Sequence, residues 1–159
     1  MQLKTLILAS IVVVGLVFLV NREDPIGVGL SRAFPAKQPL PSVDWPVLRG
    51  LNVQTGKASE DVAKLQGTKI RVPGYIVPLE DETHTLTEFL LVPYMGACIH
   101  TPPPPANQMI YVKMTRGERV NFGLNDGVWV EGTMFVGRRS SPYGPTFYAM
   151  TASGVSKYQ

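Results

Sequence analysis

Hydrophobic and polar positions divide the chain into three textures. Met1–Val20 reads "MQLKTLILASIVVVGLVFLV", with one lysine and then no charge from Thr5 to Val20. The run is apolar all round and has no polar face, so it does not read as a helix of a soluble core. Two readings compete. A charged start and an apolar middle suit a cleaved secretory signal. No small-x-small pattern closes the run at Phe18, Leu19 and Val20, which favours an uncleaved signal anchor, although 16 apolar residues fall short of the about 20 that a full span uses. Lys4 puts the amino terminus on the cytoplasmic side, and Arg22 on the far flank opposes it. Residues from about 22 onward are therefore expected on the periplasmic side of the inner membrane, held by residues 5–20, or free in the periplasm after cleavage. The one cysteine lies far from the leader, so no lipoprotein attachment is expected.

The second texture, residues 22–44, has no period and is rich in proline, with Pro25, Pro35, Pro39 and Pro41. It reads as an extended tether. The third, residues 45–159, reads as one domain. Trp45 and Leu48 are the first residues expected to dock on it. Ser59 followed by Glu60 and Asp61 is a helix start: a capping hydroxyl, then acids where the helix dipole favours them. Val62 and Leu65 give that helix one apolar side, and Gly67 ends it.

Beyond Gly67 the period changes to two. Lys69–Leu79, Glu88–Tyr94, Gln108–Met114, Val128–Val136 and Phe147–Val155 read as five strands. Pro73 and Gly74 suggest a bulge or sharp bend in the first. Asn125-Asp126-Gly127 is a turn signal before the fourth. Five short strands and one short helix predict a mainly β fold: a small five-stranded OB-like barrel, preceded by the N-terminal hydrophobic anchor helix. Mid-strand Gly74 and Gly132 fit the tight coiling of such a barrel. An unrelated β-sandwich is the alternative.

Charge changes the picture little. The whole chain carries +3, but from Val43 to Gln159 there are 11 Lys/Arg against 10 Asp/Glu, which leaves +1. Nucleic-acid binding without sequence preference needs a row of basic phosphate contacts, so no nucleic-acid partner is expected. A single cysteine excludes an intrachain disulfide.

Candidate chemistry gathers in "GACIHTPPPPAN", Gly96–Asn107. In an extended backbone, Cys98 and His100 project to one side. Sulfur and imidazole nitrogen suit Zn²⁺, with copper as the alternative. Two donors hold a metal weakly, and His84, in the acidic connection Glu80–His84, is the other imidazole available. The plain reading of Cys98 is a buried structural corner, and that of His84 a solvated loop residue. A cysteine nucleophile with histidine base ranks below both, because an i, i+2 pair is parallel rather than convergent. Pro102, Pro103, Pro104 and Pro105 favour a stiff polyproline II rod, read either as a connector or as a ledge for a partner protein. Asn107 and Gln108 can fasten the loop to backbone groups. Arg138 and Arg139, with Ser140 to Pro145, read as a solvated basic loop between the last two strands. In an OB-like barrel that connection borders the ligand groove, so both arginines join the candidate partner-binding residues.

The segments "RVPGYIVPLE" (Arg71–Glu80), "EFLLVPYMGACIHTPPPPANQMIYV" (Glu88–Val112) and "VWVEGTMFVG" (Val128–Gly137) together resemble a family of small bacterial envelope proteins of unknown function. Its signature is G-A-C-x-H-x-P-P-P-P-A-N-Q, here Gly96–Gln108, and the resemblance spans roughly Trp45 to Tyr158. It implies an exported protein of Gram-negative bacteria, encoded beside ABC-transporter components and a zinc-responsive secreted protein. It also implies a role in metal homeostasis, zinc first, with an ABC-transporter or other envelope protein as partner. The signature's Cys and His fall on Cys98 and His100. No catalytic residues come with the family, and a non-enzymatic role is expected.

Overall fold

The computed structural model describes residues 39–79, 85–96, 103–121, 126–141 and 144–158. The hydrophobic leader, most of the tether, His84, Cys98, His100 and Pro102 lie outside the described residues. No helix of the described residues is long and apolar enough to cross a membrane.

The period-two segments form strands, and the described chain is mainly β. In order the elements are helix α1 (Trp45–Leu48), helix α2 (Glu60–Ala63), β1 (Lys69–Pro78), β2 (Thr85–Leu86), β3 (Glu88–Val92), β4 (Ile110–Met114), β5 (Val120–Asn121), β6 (Gly127–Ser141) and β7 (Gly144–Lys157). Five of them pair in a closed ring of order β1-β3-β4-β7-β6, and β2 pairs with β5 apart from it. Every contact in the ring is antiparallel except β4–β7, which is parallel from Ile110↔Tyr148 to Met114↔Ala152. A ring needs one alternating face inside, and the sequence supplies it. Ile70 and Val72, Phe89 and Leu91, Ile110 and Val112, Val128, Val130 and Met134, and Tyr148 and Met150 are all buried in one core. Strand β3 is apolar on both faces: Leu90 and Val92, with Met109, form a second cluster against Tyr75, Val77 and Tyr111. That accounts for its unbroken apolar run in sequence.

Three details differ from expectation. Pro73 and Gly74 carry no bulge on the β6 side, where the register runs unbroken from Lys69↔Thr133 to Tyr75↔Gly127. Gly74 is there for close approach: a Cβ would stand 2.7 Å from the Val92 carbonyl oxygen and 2.9 Å from Leu91 Cγ. Register shifts fall in the β6–β7 ladder instead, between Glu131 and Gly132 and between Val136 and Arg139. A Cβ on Gly132 would strike the Thr151 carbonyl and lie 2.7 Å from Ala152 Cα. Second, the basic loop over 138–145 is largely strand. Arg139↔Thr146, Ser140↔Pro145 and Ser141↔Gly144 extend the β6–β7 ladder, because proline is tolerated near a strand start where no ladder N–H is required. Third, the described residues hold two short α-helices rather than one.

Helix α1 is the additional helix. Pro46 stands in its first turn, where a missing N–H costs nothing, but four residues are too few to show a helical period. Trp45 and Leu48 are buried at 7% and 0% exposure, as their docking role requires. Trp45 Nε1 donates to the Pro73 carbonyl at 2.7 Å, and the buried Tyr148 hydroxyl donates to the Leu48 carbonyl at 2.6 Å. These two bonds tie α1 to β1 and to β7. Burial of a leucine such as Leu48 stabilises by about 2 kcal/mol. Helix α2 starts as its sequence requires: Ser59 Oγ accepts from Val62 N at 3.4 Å, and Lys64 pairs with Glu60 at 2.9 Å. Gly67, at φ +72°, turns the chain toward β1. Pro41 and Val43, in the stretch read as tether, pair with β1: Arg71 N donates to Pro41 O at 3.0 Å and Val43 N to Arg71 O at 2.9 Å.

Candidate functional site

The Cys98–His100 segment leaves the ring after β3 and re-enters before β4. The described residues are the two feet of that loop. The outgoing foot is Pro93-Tyr94-Met95-Gly96. Pro93 is half-buried, Tyr94 and Met95 are 50% and 53% exposed, and Gly96 sits at φ +85°, a conformation that favours glycine.

The returning foot is fastened much more tightly. Pro103 and Pro105 are exposed and Pro104 is buried. The chain then tightens into a 3₁₀ turn over Ala106–Gln108, where Gln108 N donates to the Pro105 carbonyl at 2.7 Å. Asn107 Nδ2 donates to the Leu51 carbonyl at 2.8 Å. Gln108, 7% exposed, accepts from Arg49 Nε at 3.4 Å through Oε1. Arg49 and Leu51 directly follow α1, so the foot is clamped to the chain that covers this part of the core. The sequence assigned this fastening to Asn107 and Gln108. It could not supply the partners, which lie more than fifty residues upstream.

Two concavities flank these feet. The first was not visible in the sequence, and the second lies beside Arg138, where the sequence led to a groove being expected. A cleft of about 220 Å³ is lined by Trp45, Pro73, Gly74, Tyr75, Pro93 and Tyr158, among others. Trp129 stacks beside it, tilted against Tyr158 with ring centroids 5.2 Å apart, and Arg71 Cζ lies 4.4 Å from the Trp129 ring centroid. The second is a groove of about 480 Å³ whose wall includes Leu51, Val136, Phe147 and Arg138. Leu51, whose carbonyl accepts from Asn107 of the returning foot, also lines this groove. Arg138 lines the same groove as Leu51, although 87 positions separate them in sequence. Arg138 and Arg139 are both exposed on the outer end of β6.

Perturbed acidities lie elsewhere. On the outside of β3–β4, Glu88 accepts from Lys113 Nζ at 2.6 Å and from the Tyr111 hydroxyl. The Lys113 bond, then the Tyr111 bond, hold its carboxyl below the ordinary value. Burial first, and Glu88 second, push the Tyr111 phenol up to about 12. Burial pushes the Tyr148 phenol up as well. Each of these groups has a structural partner, and together they form no acid–base pair facing a cleft. Among the described residues no group of three His, Cys, Asp or Glu side chains gathers as metal ligands. The three sequence-predicted metal ligands, His84, Cys98 and His100, lie outside those residues.

A family profile described as a protein of unknown function, DUF3299, matches residues 50–157. The chain belongs to the DUF3299 family. The match takes in all five ring strands and both loop feet. A DUF3299 family protein from Pseudomonas aeruginosa PAO1, with a crystal structure at 2.45 Å resolution, is similar to it at 36% identity and a TM-score of 0.60. The similarity covers 76% of this chain and 97% of that one. No curated protein matches.

Proposed function

We propose that this DUF3299 protein is a non-enzymatic accessory protein of the bacterial envelope, with a metal-binding loop carried on an OB-like barrel. Ring order supports the barrel reading. Counted along the chain, the ring strands run first, second, third, fifth, fourth, with the third and fifth parallel. This is the connectivity of the OB fold, in which loops and one sheet face serve binding. The observation that carries the functional reading is the clamped returning foot: Asn107 on Leu51, Gln108 on Arg49 and Pro105, and Pro104 buried. Fixing a loop in advance lowers the ordering cost of whatever it binds.

Cys98 and His100 supply a thiolate and an imidazole, which suits Zn²⁺ first and Cu⁺ as the alternative. Two donors leave coordination positions for His84 or for a partner's ligands. That incompleteness suits transfer of a metal to or from another envelope protein, such as an ABC-transporter component. The apolar leader supports a location on the periplasmic side of the inner membrane. The test is anaerobic titration of the reduced full chain with Zn²⁺ and Cu⁺, beside a Cys98→Ala/His100→Ala variant. Saturable binding lost in the variant is expected. Equal, weak binding by both proteins overturns the metal reading.

A second reading has its own observation. The large exposed hydrophobics among the described residues are Val47, Tyr94, Met95 and Tyr158. Tyr158 lines the aromatic cleft, and Tyr94 and Met95 directly follow its Pro93. Exposed apolar residues gathered at one rim mark an interaction surface. On this reading the chain docks a partner protein there, and Cys98 is a buried corner. Alkylation separates the two readings: a thiol that labels only after denaturation favours docking, and one that labels in the native protein and is protected by Zn²⁺ favours metal binding.

A further inference from the structure

The groove beside Arg138, expected from the sequence as a partner-binding edge, takes no part in the metal-loop and aromatic-cleft readings. Its floor is aliphatic, from Leu51, Val53 and Val136, with the edge of Phe147. Its outer wall is a prebuilt turn. Asn52 Oδ1 accepts from Gln54 N and Thr55 N, each at 2.9 Å. Asn52 N donates to Lys57 O at 2.9 Å, Gly56 N donates to Asn52 O at 2.8 Å, and Gly56 turns at φ +71°. The opposite wall is the β6–β7 ladder. At about 480 Å³ the groove falls within the range of small-molecule sites.

Its polar groups carry one sign. Arg138 lines it and no acidic residue does. Several other cations of the fold have partners: Lys64 with Glu60, Lys113 with Glu88 and Lys157 with Asp126. Arg138 has no ion pair among the described residues. It lines the groove with the aliphatic Leu51, Val53 and Val136, and Thr55 lies in the turn of the opposite wall. One guanidinium presents the fork that fits one carboxylate. Oligonucleotide binding, by contrast, uses a file of cations and aromatic platforms, and this floor is aliphatic with a single aromatic edge.

We propose that this groove binds a single-chain amphiphile bearing one carboxylate, its aliphatic tail on Leu51, Val53 and Val136 and its head at Arg138. The test uses the full 159-residue chain and a photoreactive diazirine analogue of dodecanoate, with cross-links mapped by peptide mass. Labelling is expected on the peptides that carry residues 51–58 and 134–147. Dodecanoate should displace the probe about tenfold better than dodecanol, the difference expected for a charge-assisted hydrogen bond. Dodecyltrimethylammonium should displace it no better than dodecanol. Arg138→Gln should weaken labelling by about the same factor. Arg116→Asn, an exposed cation beyond the far end of β4, should leave it unchanged. Labelling spread evenly along the chain overturns the proposal. So do equal losses in the two variants, or equal displacement by the carboxylate, the alcohol and the cationic amphiphile.

Discussion

The interior of the ring and its rim are built on opposite choices. Inside, large side chains such as Tyr148, Phe89, Leu91, Ile110 and Met150 are fully buried. The strands approach so closely at Gly74 and Gly132 that no Cβ fits. At the rim beside the loop's outgoing foot, Tyr94, Met95 and Tyr158 stay in solvent. Folding alone does not call for this. Single exposed hydrophobics are ordinary, but here Tyr158 lines one cleft, and Tyr94 and Met95 follow that cleft's Pro93 at the base of the Cys98–His100 loop. Tight packing excludes change inside, and the rim keeps surface that the fold does not use. The lesson is a division of labour: the interior specifies the structure, and the rim is where interaction is to be sought.

Substitutions can break or sharpen that contrast. The largest effect is expected at Gly132→Val, whose side chain would meet the Thr151 backbone. We expect a loss of about 4 kcal/mol or of the fold itself, read by urea unfolding. Gly154→Ala, on the same β6–β7 ladder, meets nothing within 4 Å and should shift stability by less than about 0.5 kcal/mol. Leu48→Ala, at 0% exposure, should cost about 3 kcal/mol. Tyr148→Phe removes the donor to the Leu48 carbonyl and should cost about 1–2 kcal/mol at neutral pH.

That same tyrosine gives a pH dependence. Burial raises its phenol above the ordinary 10.0, so the unfolded chain ionises first. Its contribution is complete below pH 10.0 and is lost as pH rises from there toward the raised folded value. Tyr111 is raised as well, to about 12, and adds to the same decline. Chemical unfolding between neutral and alkaline pH should show the decline, less steep in Tyr148→Phe. The smallest effect belongs to the rim. Tyr94→Ser with Met95→Ser should change stability by no more than about 0.5 kcal/mol. A large loss there would erase the contrast between interior and rim.

Much of the fold was legible in the sequence. Alternation, with an unbroken apolar run for β3, located the five ring strands, and Ser59-Glu60-Asp61 located α2, because these signals are local. Helix α1 was not legible as a helix, since its four residues are held by Pro73 and Tyr148 far away in sequence. Parallel closure of β4 on β7 leaves no local mark either. The last hairpin was read as too short because Gly144 and Pro145 look like breakers when the ladder partner is unknown. The candidate site divides the same way. "GACIHTPPPPAN" announced itself, and so did the fastening by Asn107 and Gln108. Their partners and the aromatic cleft are assembled from distant segments, and no spacing in the chain encodes them. The groove beside Arg138 was foreseen only through the expected OB-like topology.

The central claim is that the clamped foot prepares the Cys98–His100 loop for a metal ion. Asn107→Ala tests it most directly, because it removes the bond to the Leu51 carbonyl without touching a proposed ligand. Zn²⁺ affinity would be measured by titration beside urea unfolding of the same protein. The account predicts a fold weakened by only about 1 kcal/mol and an affinity lowered about fivefold. Unchanged affinity in a variant whose stability has dropped by that amount would contradict it.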